Sequence, residues 1–342
     1  MEQINEIKEK FKQLPASEQY KLLDELLQAY ELGGQIIEDV QTDLAASKNR
    51  KPCPHCSSKS VYKRGKQSGI QMYQCRECSK WYSETTGTPL WDIKLKHKWQ
   101  AYLRCMQQGM TIKQSAEEVE ISIQTAFDWR HKILSSLDSY TPQSLSGTVE
   151  TDEMELPVSN KGSRNLKRKP RKRANDFKRN QASCGSTVVQ VVAAVERGGE
   201  IMVKAVETKR LSANQVAKVF DKKIAPGTTL ITDNHPSYKL YAKNNPDIKH
   251  RALYAKEHVS KDDATVHLQR ANNTHSQIRT FLRPFNGVSS KYLQNYLNWY
   301  AYADKLNQNK ETLKSWLTKL FVSYEAYELF WLFKENAVII RT

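Results

Sequence analysis

The sequence predicts an α+β protein of several domains, and three observations carry that prediction. The chain has 342 residues, enough for two or three domains of ordinary size. Two C-x-x-C pairs near the N-terminus predict a small metal-bound ribbon, with amphipathic helical patterns on both sides of it. From residue 145 onward, strand-like segments alternate with helical ones, which predicts a mixed sheet with helices packed on it.

The composition shifts along the chain indicate five segments. They are an N-terminal helical segment (1–46), the ribbon (47–90), a helical module (91–140), a sheet domain (145–305) and a helical tail (306–342). The first segment fits two amphipathic helices that pack against another domain or subunit. The apolar stretch 313–340 is interrupted by charged residues, so we expect helical packing or dimerisation there and no membrane span.

The chain is strongly basic. Lys and Arg outnumber Asp and Glu by 53 to 37, for a formal charge of +16. Such a charge favours a polyanionic partner, with nucleic acid ahead of a membrane surface, although it could also serve solubility alone. The N-terminus carries no secretory signal, so we expect a bacterial cytoplasmic, nucleoid-associated protein.

Four cysteines have the spacing of a zinc ribbon: Cys53, Cys56, Cys75 and Cys78. Each pair forms a turn, and the two turns supply four thiolates in a tetrahedron. A closed site of this kind is structural, and the metal supplies most of the folding energy of so short a segment. Cys105 and Cys184 are expected to be ordinary buried thiols.

Residues 111–134 fit a helix-turn-helix. Ala116 lets the two helices approach, Ile121 fills the turn, and Ser122 caps the second helix. The residues predicted to face DNA are Gln124, Thr125 and Arg130. The alternative is a helical hairpin that only packs.

Residues 161–180 contain ten Lys or Arg and one acid, Asp176. Such a block repels itself, so it is expected to be a loop that orders on a phosphate backbone. The predicted DNA contacts in it are Lys167, Arg168, Lys169, Arg171, Lys172 and Arg173.

Two aspartates end up beside each other if the predicted strands pair. Asp152 lies within the strand 147–156, and Asp233 ends the strand 228–234. Between them we predict a hairpin over 186–206 and a helix over 212–224. Carboxylates from neighbouring strands can hold Mg²⁺ or Mn²⁺ for phosphodiester chemistry. Glu150 shares the face of Asp152 whereas Glu153 does not, and both, with Glu155, are expected to point elsewhere.

The chain resembles bacterial insertion-sequence transposases of the DDE type, in the ISXO-like group with a zinc ribbon and a helix-turn-helix before an RNase H-like domain. The resemblance covers roughly residues 50–305 and is carried by residues 148–153, 231–233 with 236–238, 267–279, 285–288 and 291–296. It implies binding to terminal inverted repeats, metal-dependent exposure of a 3′-OH, and attack of that 3′-OH on target DNA. It also implies a homodimer or larger assembly on double-stranded DNA.

The third catalytic position departs from the general family pattern, which has Glu. The resemblance places Asn272 there, with Arg279 seven residues later on the same helical face, over a phosphate. His275, one turn after Asn272, could instead complete the metal site or orient water. Asn272 is favoured over His275, with His267 a weaker candidate. An asparagine at a helix start could also be only a cap.

Two other functions fit the same features. One is a non-catalytic DNA-binding regulator with a decayed nuclease-like fold. The other is an RNase H-like nuclease that cuts DNA without joining it.

Overall fold

A computed structural model describes residues 2–15, 18–19, 22, 52–67, 70–95, 98–163, 166, 188–208, 210–220, 222–254, 259–309 and 340–341. The second N-terminal helix, the basic-loop residues predicted to contact DNA, Cys184 and most of the C-terminal tail lie outside these residues. The chain divides into two compact units. The first comprises Met1–Arg130 with Glu311–Tyr324, and the second comprises His131–Lys310 with Glu325–Thr342.

The first unit begins with helix α1 (Glu2–Gln13) and contains a three-stranded antiparallel sheet. Its strands are β1 (Val61–Gln67), β2 (Ile70–Cys75) and β3 (Trp81–Ser83), in that order. One face of the sheet packs into a small core of Val61, Tyr73 and Tyr82 beside the cysteines. So little apolar surface cannot stabilise a fold by itself, which agrees with a module that depends on metal.

Three helices follow in the same unit: α2 (Trp99–Gln107), α3 (Ile112–Glu118) and α4 (Ile123–Ser136), the last of which continues beyond the division at Arg130. Thr111 and Gln114 form a reciprocal capping box at the start of α3. The backbone N–H of Thr125 donates to Ser122 Oγ over 3.0 Å, so the predicted cap of α4 is confirmed. Between α3 and α4, Glu120 has a φ of 52°, and the chain reverses there within three residues.

The second unit is built on a mixed six-stranded sheet with the order β8-β7-β4-β5-β6-β9, in which β9 is the short strand Ile340–Arg341. Strands β4 (Thr148–Pro157), β5 (Val188–Glu196) and β6 (Ile201–Thr208) form an antiparallel meander. Strand β7 (Thr229–Asp233) pairs parallel with β4, and β8 (Lys249–Leu253) pairs parallel with β7. The predicted mixed sheet is thereby confirmed, with the hairpin turn at the predicted place.

Helices cover both faces of this sheet. On one face α5 (Ala213–Phe220) and α6 (Pro236–Asn244) pack against a core that includes Val149 and Leu230. On the other face α7 (Gln269–Leu282) and α8 (Leu293–Asn309) pack against Met154 and its neighbours. Since successive strand residues alternate in direction, Glu150 and Asp152 point toward the α7 side, and Glu153 points toward the α6 side.

The prediction of an entirely helical tail is wrong at its end. Ile340–Arg341 forms strand β9, which pairs parallel with β6. The outer edge of β6 offers backbone N–H and C=O groups for pairing. A strand at the end of the tail can form hydrogen bonds with these groups, whereas a helix at the same place cannot. In the described part of the chain, no helix combines the length and apolarity needed to cross a membrane.

Candidate active site

Asp152 and Asp233 lie side by side because β4 and β7 run parallel in register. The last paired residues of the two strands are Thr151 and Thr232, so each aspartate is the next residue beyond that pair. Residues at equal register in neighbouring strands point to the same face of a sheet. The topology therefore brings together two acids that are about eighty positions apart in the sequence.

The protein holds Asp152 in a setting that disfavours its charge. Burial raises the pKa of Asp152 to about 6, helped by the nearby charge of Asp233 and opposed by a hydrogen bond from the Glu153 backbone. Its side chain retains 22% exposure, so solvent or an ion can reach it. Asp233 accepts a hydrogen bond from the His235 backbone N–H over 3.1 Å, which fixes one of its oxygens at the start of α6.

Glu153 lies next to this pair on the opposite face of β4. Tyr238, buried on α6, donates its hydroxyl to Glu153 Oε2 over 2.8 Å. Burial and, to a smaller extent, the charges of Asp233 and Asp152 raise the pKa of Glu153 to about 7 despite that bond. Glu153 therefore interacts electrostatically with both aspartates, although strand alternation points its side chain to the opposite face from Asp152.

Helix α7 presents the three predicted residues on one side. At 3.6 residues per turn, Asn272 and Arg279 are separated by about 20° around the helix, and His275 lies about 60° from Asn272 toward the core. His275 is buried, and its Nδ1 lies 3.7 Å from Asp152 Oδ2. Asn272 and Arg279 are exposed. Of the three, His275 is therefore the residue whose side chain lies beside Asp152.

The imidazole of His275 is kept neutral. Burial and, to a smaller extent, the positive charge of Arg279 lower its pKa to about 4, and the Asp152 backbone opposes the shift. Its Nε2 is buried without a hydrogen-bond partner among the described residues. A neutral ring with an unpaired nitrogen is the form of histidine that binds metals or accepts a proton.

Glu150 holds the start of α7 in place. Its carboxylate is completely buried, and Oε2 accepts the backbone N–H of Arg270 over 2.8 Å and that of Ala271 over 3.4 Å. Oε1 accepts Arg197 Nε over 2.8 Å and lies 3.2 Å from His267 Nδ1. A carboxylate on N–H groups of a first helical turn acts as a cap, supplied here by another element.

The alternative that Asn272 is only a helix cap is wrong. Asn272 is the fourth residue of α7, whose N-cap position is Leu268, so Asn272 is not the cap. Leu268 has no side-chain oxygen, and Glu150 supplies the missing acceptor. His267, the weaker metal candidate, contacts Glu150 and Arg197.

The four cysteines could surround a cation, whereas Asp152 and Asp233 supply two ligands and leave the rest to water. Throughout the described ranges, the four cysteines are the group that brings at least three ligand atoms within 4.8 Å of one another. Asp152 and Asp233 supply hard oxygen ligands, and a divalent cation would relieve their repulsion. Mg²⁺ keeps several waters and needs few protein ligands, so two carboxylates beside a neutral imidazole fit it.

The four cysteines fit zinc closely. Cys53 Sγ lies 3.6 Å from Cys78 Sγ, and Cys56 Sγ lies 3.5 Å from Cys75 Sγ. Zn–S bonds of about 2.3 Å in a tetrahedron place sulfurs about 3.8 Å apart. No position remains for substrate, so this site can hold a structural ion.

The predicted DNA-facing residues of α4 are divided by the structure. Gln124 is exposed and Thr125 is half-buried, whereas Arg130 is completely buried. The Arg130 guanidinium donates to Met110 O over 2.8 Å and to Ser115 Oγ over 3.1 Å. Arg130 thus joins helices of its own unit and is not placed to reach DNA, because its helical position faces the core.

Comparison with known proteins gives a consistent result. Residues 144–304 match the ISXO2-like transposase domain. A protein of Halobacterium salinarum, described as an uncharacterized protein in transposable element ISH50, is 24% identical over 269 residues, which cover 77% of this chain and 89% of that protein. These similarities support an insertion-sequence transposase.

Two solved structures show a more distant likeness. The pre-cleavage Mos1 transpososome is 14% identical, with 66% of this chain and 78% of that chain covered, at a TM-score of 0.23. The simian T-cell lymphotropic virus intasome in complex with PP2A regulatory subunit B56 gamma is 9% identical, with 60% and 67% covered, at a TM-score of 0.28.

Proposed function

We propose that this chain is a DDE-type DNA transposase with an RNase H-like catalytic domain. It cleaves the ends of a mobile element to expose a 3′-OH and transfers that 3′-OH to target DNA. The observation that carries the proposal is the register of β4 and β7, which sets Asp152 beside Asp233 within the segment that matches a transposase domain. The order of the five strands β8 to β6, with its antiparallel meander, supports the RNase H-like assignment.

Asp152 and Asp233 would hold the catalytic Mg²⁺ or Mn²⁺. When bound, such an ion supplies charge stabilisation for the phosphodiester and lowers the pKa of water. The two carboxylates fix its place at the sheet edge, and the buried wall of α7 excludes bulk water from one side. Arg279, exposed on the same helix, is available to a DNA phosphate.

His275 is our choice for the third group of the site, ahead of Asn272. Its Nδ1 lies 3.7 Å from Asp152, its ring is neutral at pH 7, and its Nε2 has no recorded partner in the described residues. The sequence favours Asn272, but that side chain is exposed. Asn272 and Arg279 share a face, so both remain available to DNA or to a second ion.

The proposed partner is double-stranded DNA, both the terminal inverted repeats of the element and the target. Gln124 and Thr125 on α4 are proposed to reach base edges or phosphates, and the basic segment 161–180 to follow the backbone. The Zn(Cys)₄ site supports the fold of the ribbon. Cleavage and joining at two ends require two active sites, so we propose a homodimer or larger assembly on DNA.

The test is a cleavage assay on a labelled duplex that carries the ends of the element encoding this chain. Wild-type protein is expected to cut with Mg²⁺ or Mn²⁺ and to join pre-cut ends to a second duplex. Asp152→Asn and Asp233→Asn should abolish both steps and retain duplex binding. Asp262→Asn, a change at an exposed acid, is the matched control and should leave both steps intact.

The rival functions give different results in the same assay. A nuclease would cut and fail to join pre-cut ends. A DNA-binding regulator would show no metal-dependent cutting, and Asp152→Asn would leave every activity unchanged. To decide the third group, His275→Ala should reduce cutting more than Asn272→Ala does, and the reverse order would restore Asn272 to that role.

A further inference from the structure

The exposed face of the zinc ribbon carries an ordered row of side chains that the proposed function does not use. Tyr62 on β1 is paired with Gln74 on β2, and Gln74 is paired with Trp81 on β3. These three residues share one face of the sheet, because residues in register point the same way. The opposite face holds the cysteine core. Trp81 is 53% exposed, so this face leaves a large aromatic ring in solvent.

The Arg64 side chain extends over this row. Its guanidinium carbon is 4.4 Å from the centroid of the Tyr62 ring and 5.7 Å from that of the Trp81 ring. Its Nε donates to Gln74 Oε1 over 2.9 Å, and its Nη2 donates to the Tyr62 hydroxyl over 3.2 Å. We call Tyr62, Arg64, Gln74 and Trp81 the ribbon platform. Two hydrogen bonds and two ring contacts fix the guanidinium plane in advance of any ligand.

The ribbon that carries the platform has a net positive charge. Residues 52–67 and 70–95 contain seven Lys or Arg and three acids. Arg76 is exposed, with its guanidinium carbon 5.5 Å from the Tyr62 centroid. One of the three acids, Glu84, accepts the hydroxyl of buried Tyr73. The ligand that suits this face is therefore flat and negatively charged.

We propose that the ribbon platform binds an unpaired DNA strand, with a base stacked on Trp81 and its phosphates beside basic side chains of the ribbon such as Arg76. Exposed aromatic rings on a basic sheet are the means by which proteins bind single strands without reading sequence. Duplex DNA hides its base faces, so it would meet this surface through phosphates alone. Arg64 suits stacking better than phosphate binding, because two of its donor nitrogens are already occupied by the platform.

This inference goes beyond the proposed function and does not depend on cleavage. Binding can be measured without added Mg²⁺ or Mn²⁺ in full-length, zinc-loaded protein carrying Asp152→Asn. The probes are a fluorescein-labelled 16-nucleotide single strand and the corresponding 16-base-pair duplex, followed by fluorescence anisotropy at fixed salt. Zinc content is measured for every variant.

The expected results separate stacking from charge. Trp81→Ala should weaken single-strand binding by about tenfold and change duplex binding by less than about twofold. Trp81→Phe, which keeps a ring, should remain within about threefold of the parent protein. Arg64→Lys keeps the charge but loses the planar group, and it should weaken single-strand binding by about fivefold. Trp91→Ala alters another exposed tryptophan, at 38%, and is the matched control.

Three outcomes would overturn the inference. One is equal weakening of both DNA forms by Trp81→Ala, which would indicate a general phosphate surface. Another is an Arg64→Lys protein that binds the single strand as tightly as its parent. The last is a loss with Trp91→Ala as large as the loss with Trp81→Ala.

Discussion

Replacing Glu150 by Ala should destabilise the second unit strongly, because this side chain joins three parts of it. The completely buried carboxylate accepts hydrogen bonds from Arg197 and from two backbone N–H groups of α7. Breaking a buried ion pair by removing one partner costs about 3–5 kcal/mol. The Arg197 side chain is 24% exposed and can recover some hydration, which favours the low end of that range. We therefore expect a loss of about 3 kcal/mol in the free energy of unfolding.

The variant Glu150→Gln keeps the shape of the side chain and removes its charge, so it measures the contribution of the charge to stability. The amide oxygen can still accept the α7 N–H groups, so about half of the loss is expected, consistent with about 1.5–3 kcal/mol for hydrogen bonds to charged groups. Combining Glu150→Ala with Arg197→Ala should cost less than the sum of the single changes, with a coupling of about 1–3 kcal/mol.

The assay is urea denaturation of zinc-loaded protein, followed by tryptophan fluorescence and far-ultraviolet circular dichroism. Glu155→Gln, a change at an exposed acid of the same strand, is the control and should cost less than about 0.5 kcal/mol. A cost under about 1 kcal/mol for Glu150→Ala, or simple addition of its effect to that of Arg197→Ala, would contradict the linking role of this carboxylate.

Three further predictions concern metals and DNA. The wild type is expected to hold one equivalent of zinc by atomic absorption. Cys75→Ser should lose that zinc and unfold the ribbon, whereas Cys105→Ala should keep it. Retention of metal by Cys75→Ser would contradict the four-thiolate site. In zinc-loaded protein without added Mg²⁺ or Mn²⁺, Asp152→Asn should raise the melting temperature by roughly 2–4 °C because it relieves repulsion in the acidic pair. Mg²⁺ should stabilise the wild type more than the variant. A lower melting temperature for the variant would refute that electrostatic account. Arg130→Ala should lower the free energy of unfolding by about 2 kcal/mol. Gln124→Ala should leave that free energy unchanged and weaken duplex binding by about fivefold. Weaker duplex binding by Arg130→Ala with no loss of stability would instead place Arg130 on DNA.

Local patterns predicted much of this molecule. The two C-x-x-C pairs lie close enough in the chain to dictate a shared site, and the cysteine sulfurs do converge. Ser122 caps its helix because a cap involves neighbours a few residues apart. Alternation and length placed Asp152 and Asp233 on strands, the family resemblance favoured the pairing of those strands, and the observed register makes the two aspartates neighbours.

Local patterns failed where a side chain's partner came from far along the chain. Arg130 looked like a surface residue because its type is usually exposed, but its helical position faces Ser115 and the core. Glu153 was set aside because it points away from Asp152, yet Tyr238 and both aspartates influence it across the strand ends. The sequence offered no signal for the partner of Glu150, since about 120 residues separate it from the helix that it caps.

By itself the sequence determined the four cysteines that could bind zinc, the Ser122 cap, the positive charge and the alternation that places Glu150 and Asp152 on one face, because each depends on residue type and short-range spacing. Tertiary structure alone decided that His275 rather than Asn272 lies against Asp152, and that a buried glutamate holds the helix carrying both. The physical reason is that helix periodicity fixes which residues share a face, whereas the rotation of that face toward the sheet is set by contacts between distant parts of the chain.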